Sequence, residues 1–169
     1  MNLRHPMWTA ILLGGFVAGT IDIGAAALIY QISPVIILHA IASGLLGKPA
    51  FQGGVGIAIL GLLLQWAMSL IIAAIYVFAA GRLTWLNRRW ISAGVLYGIV
   101  VFVVMNYVVR PLSAAWPPSD FHFHAAKFFE NLLAMLLFGF IIAYVTFLAA
   151  NHRTGLRPVN DKQESAPGM

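Results

Sequence analysis

Four long runs of apolar residues dominate the hydrophobic pattern of the chain, and polar residues gather between them. The runs cover residues 8–30, 55–80, 91–109 and 131–150. Crossing the hydrocarbon of a bilayer takes about 20 helical residues, so each run is long enough to span it. None of them alternates with the period of two that a lipid-facing barrel strand would show. The pattern therefore predicts four transmembrane α-helices.

A shorter apolar segment follows the first span and carries the signals of a separate helix. Ser33 can cap its N-terminus, Pro34 fits its first turn, and Gly47 follows its last residue. The helix predicted over residues 34–46 is too short to cross a bilayer. We expect it to lie in the membrane interface or to re-enter the bilayer. The predicted fold class is thus all-α, an integral membrane four-helix bundle with a short interfacial or re-entrant helix after the first span.

Composition agrees with a membrane protein, because 61% of the 169 residues are hydrophobic and only 9% are charged. The absence of cysteine excludes disulfides, thiolate metal sites and cysteine nucleophiles. The net charge of +5 comes from short basic clusters beside the apolar runs, so we expect no nucleic-acid partner. The expected partner is the lipid bilayer. Small and polar residues at helical spacing predict the interior faces of three spans: Gly15 and Gly19 in span one, Gly61, Gln65, Ser69 and Ala73 in span two, and Gly94 and Gly98 in span three. A homodimer or another membrane-protein partner is also compatible with these small-residue faces.

Lysine and arginine are unevenly distributed between the two sides of the predicted membrane. Seven lie before span one, between spans two and three or after span four, and three lie in the other two connections. Since translocation of positive charge is disfavoured, both termini are predicted to be cytoplasmic. Residues 1–150 then form a four-span transmembrane domain. Residues 151–169 contain few apolar side chains and are predicted to be a disordered cytoplasmic tail.

The N-terminal run also has features of a signal peptide. Arg4 precedes the apolar residues, and the small residues 25–27 could form a cleavage site. Asp22 interrupts the run, however, and apolar sequence continues to Tyr30. An uncleaved first helix is therefore favoured.

Asp22 is a carboxylic acid in the middle of the first span. Gly15, Gly19 and Asp22 share one helix face, so Asp22 is predicted to point at protein rather than lipid. It lies about 12 Å below the outer end of its span, and Gln65 has a similar depth. An acid at such a depth is usually neutral, paired or exposed to internal water. Two interpretations stay open: a protonatable or cation-coordinating group, or a structural acid bonded to Gln65 or to a backbone carbonyl.

The polar residues that could perform chemistry are concentrated in the outer half of the predicted bundle. Arg110 either reaches the headgroups or pairs with Glu130 at the outer ends of spans three and four. Amide side chains such as Asn106 favour hydrogen bonds between helices. The candidate intramembrane polar site comprises Asp22, Gln65, Asn106, Arg110, Glu130 and Asn131.

A candidate metal site lies in the two outer connections and comprises His39, Asp120, His122 and His124. Imidazole and carboxylate groups suit zinc or copper. His122 and His124 would point about 200° apart on a helix, so Asp120 and His124 are the better helical pair. The alternative is an interfacial segment whose histidines stay in water. No other cofactor is predicted, and no phosphate loop, nucleophile elbow or HExxH motif indicates an enzyme.

The segments GTIDIGAAALIY, HAIASGLLGKPAFQGG and YGIVVFVVMNYVVRPLSA, with a basic link between spans two and three, resemble a group of small bacterial inner-membrane proteins with four helices. The layout of the second half is more distantly similar to the YagU-like family. This resemblance covers residues 10–150 and implies a bacterial inner membrane and a four-helix bundle. It supplies no catalytic residues.

Three functions are expected from the sequence, in decreasing order. The first is a non-enzymatic structural, accessory or stress-related membrane component. The second is a small proton- or cation-linked transporter or channel that uses Asp22 with Gln65 and Glu130. The third is an outer-face metal-binding protein or enzyme based on the candidate metal site.

Overall fold

Helices account for nearly all of the chain that the computed structural model describes, which is residues 6–114 and 125–154, with side chains for 7–114 and 125–151. A 3₁₀ turn over Lys48–Gln52 precedes the third helix, and a π-helical turn over Met105–Val109 joins the fifth helix to the sixth. The helices are α1 Pro6–Tyr30, α2 Pro34–Leu46, α3 Val55–Arg82, α4 Thr84–Arg88, α5 Trp90–Val104, α6 Arg110–Leu112 and α7 Ala125–Thr154.

Four helical segments are long and apolar enough to cross a membrane, which confirms the all-helical class and the number of candidate spans. The third segment combines α5, the π-helical turn and α6. The fourth begins six residues before the predicted start at residue 131, and α7 ends four residues beyond the predicted end at residue 150. The rest of the predicted tail, residues 155–169, lies outside the described residues. The four segments are Met7–Tyr30, Val55–Arg82, Trp90–Leu112 and Ala125–Asn151.

Most of the apolar surface of these segments is left uncovered by the rest of the chain. In the most apolar 18-residue stretch of each segment, only 22% to 28% is buried within the protein. Leu28, Val55 and Leu112 are 73%, 77% and 81% exposed. Exposing so many large apolar side chains to water would be unfavourable, at about 25 cal/mol per Å². The fold therefore fits a hydrocarbon environment and is compatible with a multi-pass transmembrane protein.

The ends of α2 are formed by the residues that the sequence indicated. The Ser33 hydroxyl accepts a hydrogen bond from the backbone N–H of Val35 at 3.3 Å, and Pro34 occupies the first helical position. Gly47 follows the last residue with a φ of 72°, in the left-handed region where glycine is unstrained. These predicted caps are confirmed.

The α2 helix packs along the N-terminal part of α3. A Cβ atom at Gly61 of α3 would collide with the backbone carbonyl of Leu38, so a glycine is needed for this contact. The backbone N–H of Ala114 donates to the carbonyl of Gly44 at 2.8 Å. The α2 helix is therefore held from two sides, by α3 and by the segment that follows α6.

The long helices pack in the order α3, α1, α7, α5, so that α1 and α7 each have two long neighbours. The ammonium group of Lys127 lies 5.4 Å from the centre of the Tyr30 ring, which places the end of α1 beside the start of α7. Small, branched and aromatic side chains from all four helices meet in the main core, which comprises Ala18, Ala73, Tyr76, Ala80, Ala93, Val101, Phe138, Ile142 and Ala143.

Glycines bring the backbones of α5 and α7 together. A Cβ atom at Gly98 would lie 2.7 Å from the Cα atom of Leu136, and one at Gly139 would lie 2.5 Å from the carbonyl oxygen of Gly94. The sequence indicated the Gly94 and Gly98 face but not Gly139. The α5–α7 contact therefore depends on glycines from both helices.

A second close approach joins α1 and α3. A Cβ atom at Gly15 would lie 3.0 Å from the Cα atom of Leu70, and one at Gly19 would lie 2.9 Å from the Cβ atom of Ser69. The row that the sequence assigned to the interior of α3 is buried, namely Gly61, Gln65, Ser69 and Ala73.

We expect Gly139→Ala to destabilise the fold by about 1–3 kcal/mol, because the added methyl group meets backbone atoms that cannot turn aside. Gly81→Ala is the matched control, since no atom lies within 4 Å of a Cβ atom there. Its stability should stay equal or rise by up to about 1 kcal/mol from helix propensity. Thermal unfolding in detergent micelles, followed by circular dichroism, measures both. Equal changes in the stability of the two variants would contradict a close backbone contact at Gly139.

Candidate functional site

The centre of the candidate site is a hydrogen bond between α1 and α3. The Gln65 side-chain amide donates to a carboxylate oxygen of Asp22, with 2.8 Å between Nε2 and Oδ2. The same nitrogen lies 3.5 Å from the carbonyl oxygen of Gly19. Gln65 is buried and Asp22 is partly buried. Of the alternatives that the sequence left open, the contact with Gln65 is therefore present.

The Gly19–Ser69 contact explains why these two side chains meet. The helices are antiparallel, so the next turn of α1, which carries Asp22, faces the preceding turn of α3, which carries Gln65. A larger residue at position 19 would separate the two turns. The hydrogen bond thus depends on a glycine one turn away.

A second polar contact lies beside the first on the same interface. The indole N–H of Trp66 donates to the Thr20 hydroxyl at 3.3 Å, and this hydroxyl donates to the carbonyl of Phe16 at 2.8 Å. The Phe16 and Trp66 rings meet edge to face at 5.2 Å between centroids. Thr20 and Trp66 directly follow Gly19 and Gln65, but neither was among the site residues predicted from the sequence.

A neutral amide, and not a positive charge, provides the protein contact of the Asp22 carboxyl group. Among the described residues, no lysine, arginine or histidine forms an ion pair with Asp22, and its Oδ1 atom receives no hydrogen bond. A carboxyl group in this position can hold a proton, or accept one contact from water or a cation, while it stays bonded to Gln65. The described site contains no paired nucleophile and base.

The structure divides the remaining candidate polar residues between two helices. The Asn106 amide donates to the carbonyl of Phe102 at 2.9 Å, and its oxygen accepts from Arg110 at 3.2 Å. Both bonds run along one helical segment, whereas the sequence favoured a bond between helices for Asn106. Glu130 is exposed and Asn131 is half-buried in α7. Within the described chain, Glu130 forms no ion pair with Arg110, and neither α7 residue hydrogen-bonds to Asp22.

The π-helical turn that contains Asn106 has a cause in the sequence. The backbone N–H of Arg110 donates to the carbonyl of Met105, five residues earlier. Pro111 follows, and a proline ring collides with the carbonyl four residues before it in an α-helix. A π-helical turn widens the backbone at that place and avoids the collision. Pro111, which the sequence indicates only as a helix breaker, is thus also the signal for this π-helical turn.

The candidate metal site is only partly within the described chain. His39 lies on α2, and its Nε2 atom is 3.3 Å from the carbonyl oxygen of Gly54, which makes Nε2 the donor. Asp120, His122 and His124 lie outside the described residues. In residues 7–114 and 125–151, whose side chains the structure describes, no three histidine, aspartate or glutamate side chains are placed to hold a metal ion. The metal site stays a prediction.

A buried tyrosine of α3, Tyr76, and a partly buried tyrosine of α5, Tyr97, join these two helices. The Tyr97 hydroxyl donates to the carbonyl of Ile72 at 2.6 Å, and the Tyr76 ring lies 4.9 Å from the Tyr97 ring. Tyr76 is only 2% exposed, and its hydroxyl has no hydrogen-bond partner among the described residues. A buried hydroxyl without a partner costs about 1–3 kcal/mol. The two hydroxyl groups therefore differ in what they contribute to stability.

No protein-family model matches the chain, and no curated protein or solved structure matches it. The resemblance to small four-helix inner-membrane proteins stays a prediction from the sequence.

The two tyrosines provide a matched pair of substitutions. Tyr97→Phe removes a hydrogen bond between helices and should lower the free energy of unfolding by about 0.6 kcal/mol, the average for such bonds in a membrane protein. Tyr76→Phe removes a hydroxyl without a described partner and should leave stability unchanged or raise it. Thermal unfolding of the two variants in the same micelles measures the difference. Destabilisation by Tyr76→Phe that equals or exceeds that of Tyr97→Phe would refute this assignment.

Proposed function

We propose that the protein is a non-enzymatic structural or accessory component of a bacterial inner membrane. The observation that carries this proposal is the Asp22–Gln65 hydrogen bond between α1 and α3. An acid in a membrane span is a candidate functional group by default. Here it bonds to a neighbouring helix beside a glycine contact, as a structural group would. Among the described residues, the members of the candidate polar site other than Gln65, including Glu130, form no hydrogen bond with it.

The architecture that accompanies this proposal is a four-helix bundle with α2 as an interfacial or re-entrant helix. The α2 helix has 13 residues, too few to cross the hydrocarbon. It packs on α3 while Val35, Ile36 and Leu45 remain exposed, and this apolar edge suits the boundary between headgroups and acyl chains.

The membrane-facing sides of the helices leave room for a partner. Glycines at positions 24, 56 and 81 have no neighbour within 4 Å of a Cβ atom. Such open positions allow the backbone of another helix to approach closely. A second copy of this chain or another membrane protein would use them in an accessory role, and lipid covers them otherwise.

A transporter or channel linked to protons or cations is the second candidate. It is favoured by the Asp22 carboxylate oxygen that receives no described hydrogen bond, because that atom is available to a proton or a cation. Gln65 would then orient the carboxyl group. Glu130 would act as a surface charge near the entrance and not as a ligand.

The Asp22→Asn variant distinguishes the two candidates. Asparagine keeps an oxygen that can accept from Gln65, so the variant should remain folded with nearly unchanged stability. Asp22→Leu removes the acceptor and should destabilise by about 0.6–1.7 kcal/mol. Under the structural proposal, the wild-type protein in proteoliposomes passes protons and monovalent cations no faster than empty vesicles do. Flux through the wild-type protein that a folded Asp22→Asn variant lacks would instead establish transport.

The proposed orientation places both termini and the link between α3 and α5 in the cytoplasm. Since the chain has no cysteine, single cysteines report on sidedness without background. Lys48 and Arg88 are both exposed and lie on opposite predicted sides. A membrane-impermeant maleimide should label Lys48→Cys in intact bacterial spheroplasts, and Arg88→Cys only after permeabilisation. The reverse pattern would invert the orientation, and equal labelling would contradict a fixed topology.

A further inference from the structure

A concave site lies at the short link between α3 and α5. Its volume is about 500 Å³, and it is lined by Thr84, Trp85, Arg88 and Arg89. All four residues are exposed. The candidate spans on either side end at Arg82 and begin at Trp90, so the site lies directly beside the ends of two spans.

Hydrogen bonds hold this link in place. The side-chain amide of Asn87 donates to the carbonyl of Ala80 at 3.3 Å, which ties α4 back onto the end of α3. The backbone N–H of Arg89 donates to the carbonyl of Trp85 at 3.0 Å, and the Arg89 carbonyl accepts from Ala93 at 2.9 Å. The backbones of Arg88 and Arg89 are therefore fixed at the junction of two helices.

Aromatic packing fixes the other side of the link. Trp90 contacts three rings of α7, those of Phe140, Tyr144 and Phe147, with centroids 5.1 to 5.4 Å apart. Because Arg89 directly precedes Trp90, its backbone cannot move far without breaking these contacts. The site is formed by an anchored segment and not by a free loop.

The two guanidinium groups have no described counter-charge. The acids within the described residues are Asp22, which is bonded to Gln65, and Glu130, which lies near the N-terminal end of α7. The planar guanidinium group of an arginine can donate two parallel N–H hydrogen bonds to two oxygens of one phosphate. The Thr84 hydroxyl offers a further donor at the same site. The chemistry of the lining thus favours a phosphate group.

The surroundings favour a phosphate that is attached to lipid. Leu83, Trp85 and Ile91 are 55%, 48% and 56% exposed next to the arginines. Tryptophan is enriched at the headgroup level of membranes, and basic pockets beside membrane spans bind anionic headgroups. A free phosphate ion would use the arginines and leave these apolar side chains uncovered. A phospholipid would use both.

We propose that Thr84, Trp85, Arg88 and Arg89 bind the headgroup of an anionic phospholipid, with its acyl chains against Leu83 and Ile91. This site goes beyond the structural role proposed above and requires only that α3 and α5 cross a bilayer. It would serve in either leaflet, so an inverted orientation would not remove it.

Lipid retention by the full chain tests the site directly. Native mass spectrometry of the protein in micelles is carried out with phosphatidylglycerol, with phosphatidylcholine, and with inorganic phosphate as competitor. The double variant Arg88→Lys/Arg89→Lys keeps both positive charges but removes the planar guanidinium groups. It should weaken phosphatidylglycerol binding about tenfold, the equivalent of one charge-assisted hydrogen bond. Arg82→Lys is the matched control, because Arg82 is exposed in the same segment but does not line the site.

Each outcome supports or overturns the proposal. Preferential retention of phosphatidylglycerol by the wild-type protein and by Arg82→Lys, but not by the double variant, supports it. Equal binding by the double variant would show attraction by net charge alone. Displacement of bound phosphatidylglycerol by a stoichiometric amount of inorganic phosphate would identify free phosphate as the ligand and overturn the lipid site. If the double variant loses its helical circular dichroism, Thr84→Val replaces it, and unchanged phosphatidylglycerol binding by that variant overturns the site.

Discussion

Close approach of helix backbones is the constraint on which this structure depends. Apolar helices gain little by leaving lipid for one another, so their association depends on packing and on hydrogen bonds between helices. Gly98 and Gly139 allow this packing between α5 and α7, and Gly15 and Gly19 allow it between α1 and α3. The Asp22–Gln65 bond forms because a glycine contact one turn away has already brought the two backbones together. Packing therefore determines the polar contact.

Features that depend on local sequence were predictable. The four apolar runs and the caps of α2 follow from segment length and from the chemistry of serine, proline and glycine. The interior face of α3 follows from helical periodicity, since its small and polar residues recur every four positions. Periodicity also placed Asp22 toward protein. It could not select Gln65 over a backbone carbonyl as the partner, because that choice depends on which helices are neighbours.

Features that depend on the arrangement of helices were missed for the same reason. Gly139 is one small residue in a long apolar helix, and only its position opposite Gly94 and Gly98 shows its importance. The bond from Tyr97 to Ile72 requires that the tyrosine side chain of α5 reach the backbone of α3, which no spacing in either helix specifies. Pro111 is different, because its clash with the preceding turn could have been anticipated from the sequence.

The arginines near the ends of α3 and α5 show how one set of residues can satisfy two physical requirements. Positive charge in this link opposes its translocation, and this effect depends on charge and not on geometry. Phosphate recognition depends on geometry as well, because paired N–H donors must face paired oxygens. Positive charge alone would not require the tether from Asn87 to Ala80 or the packing of Trp90 on α7. An anchored pair of arginines in a concave site is what headgroup binding needs, and orientation alone does not account for it.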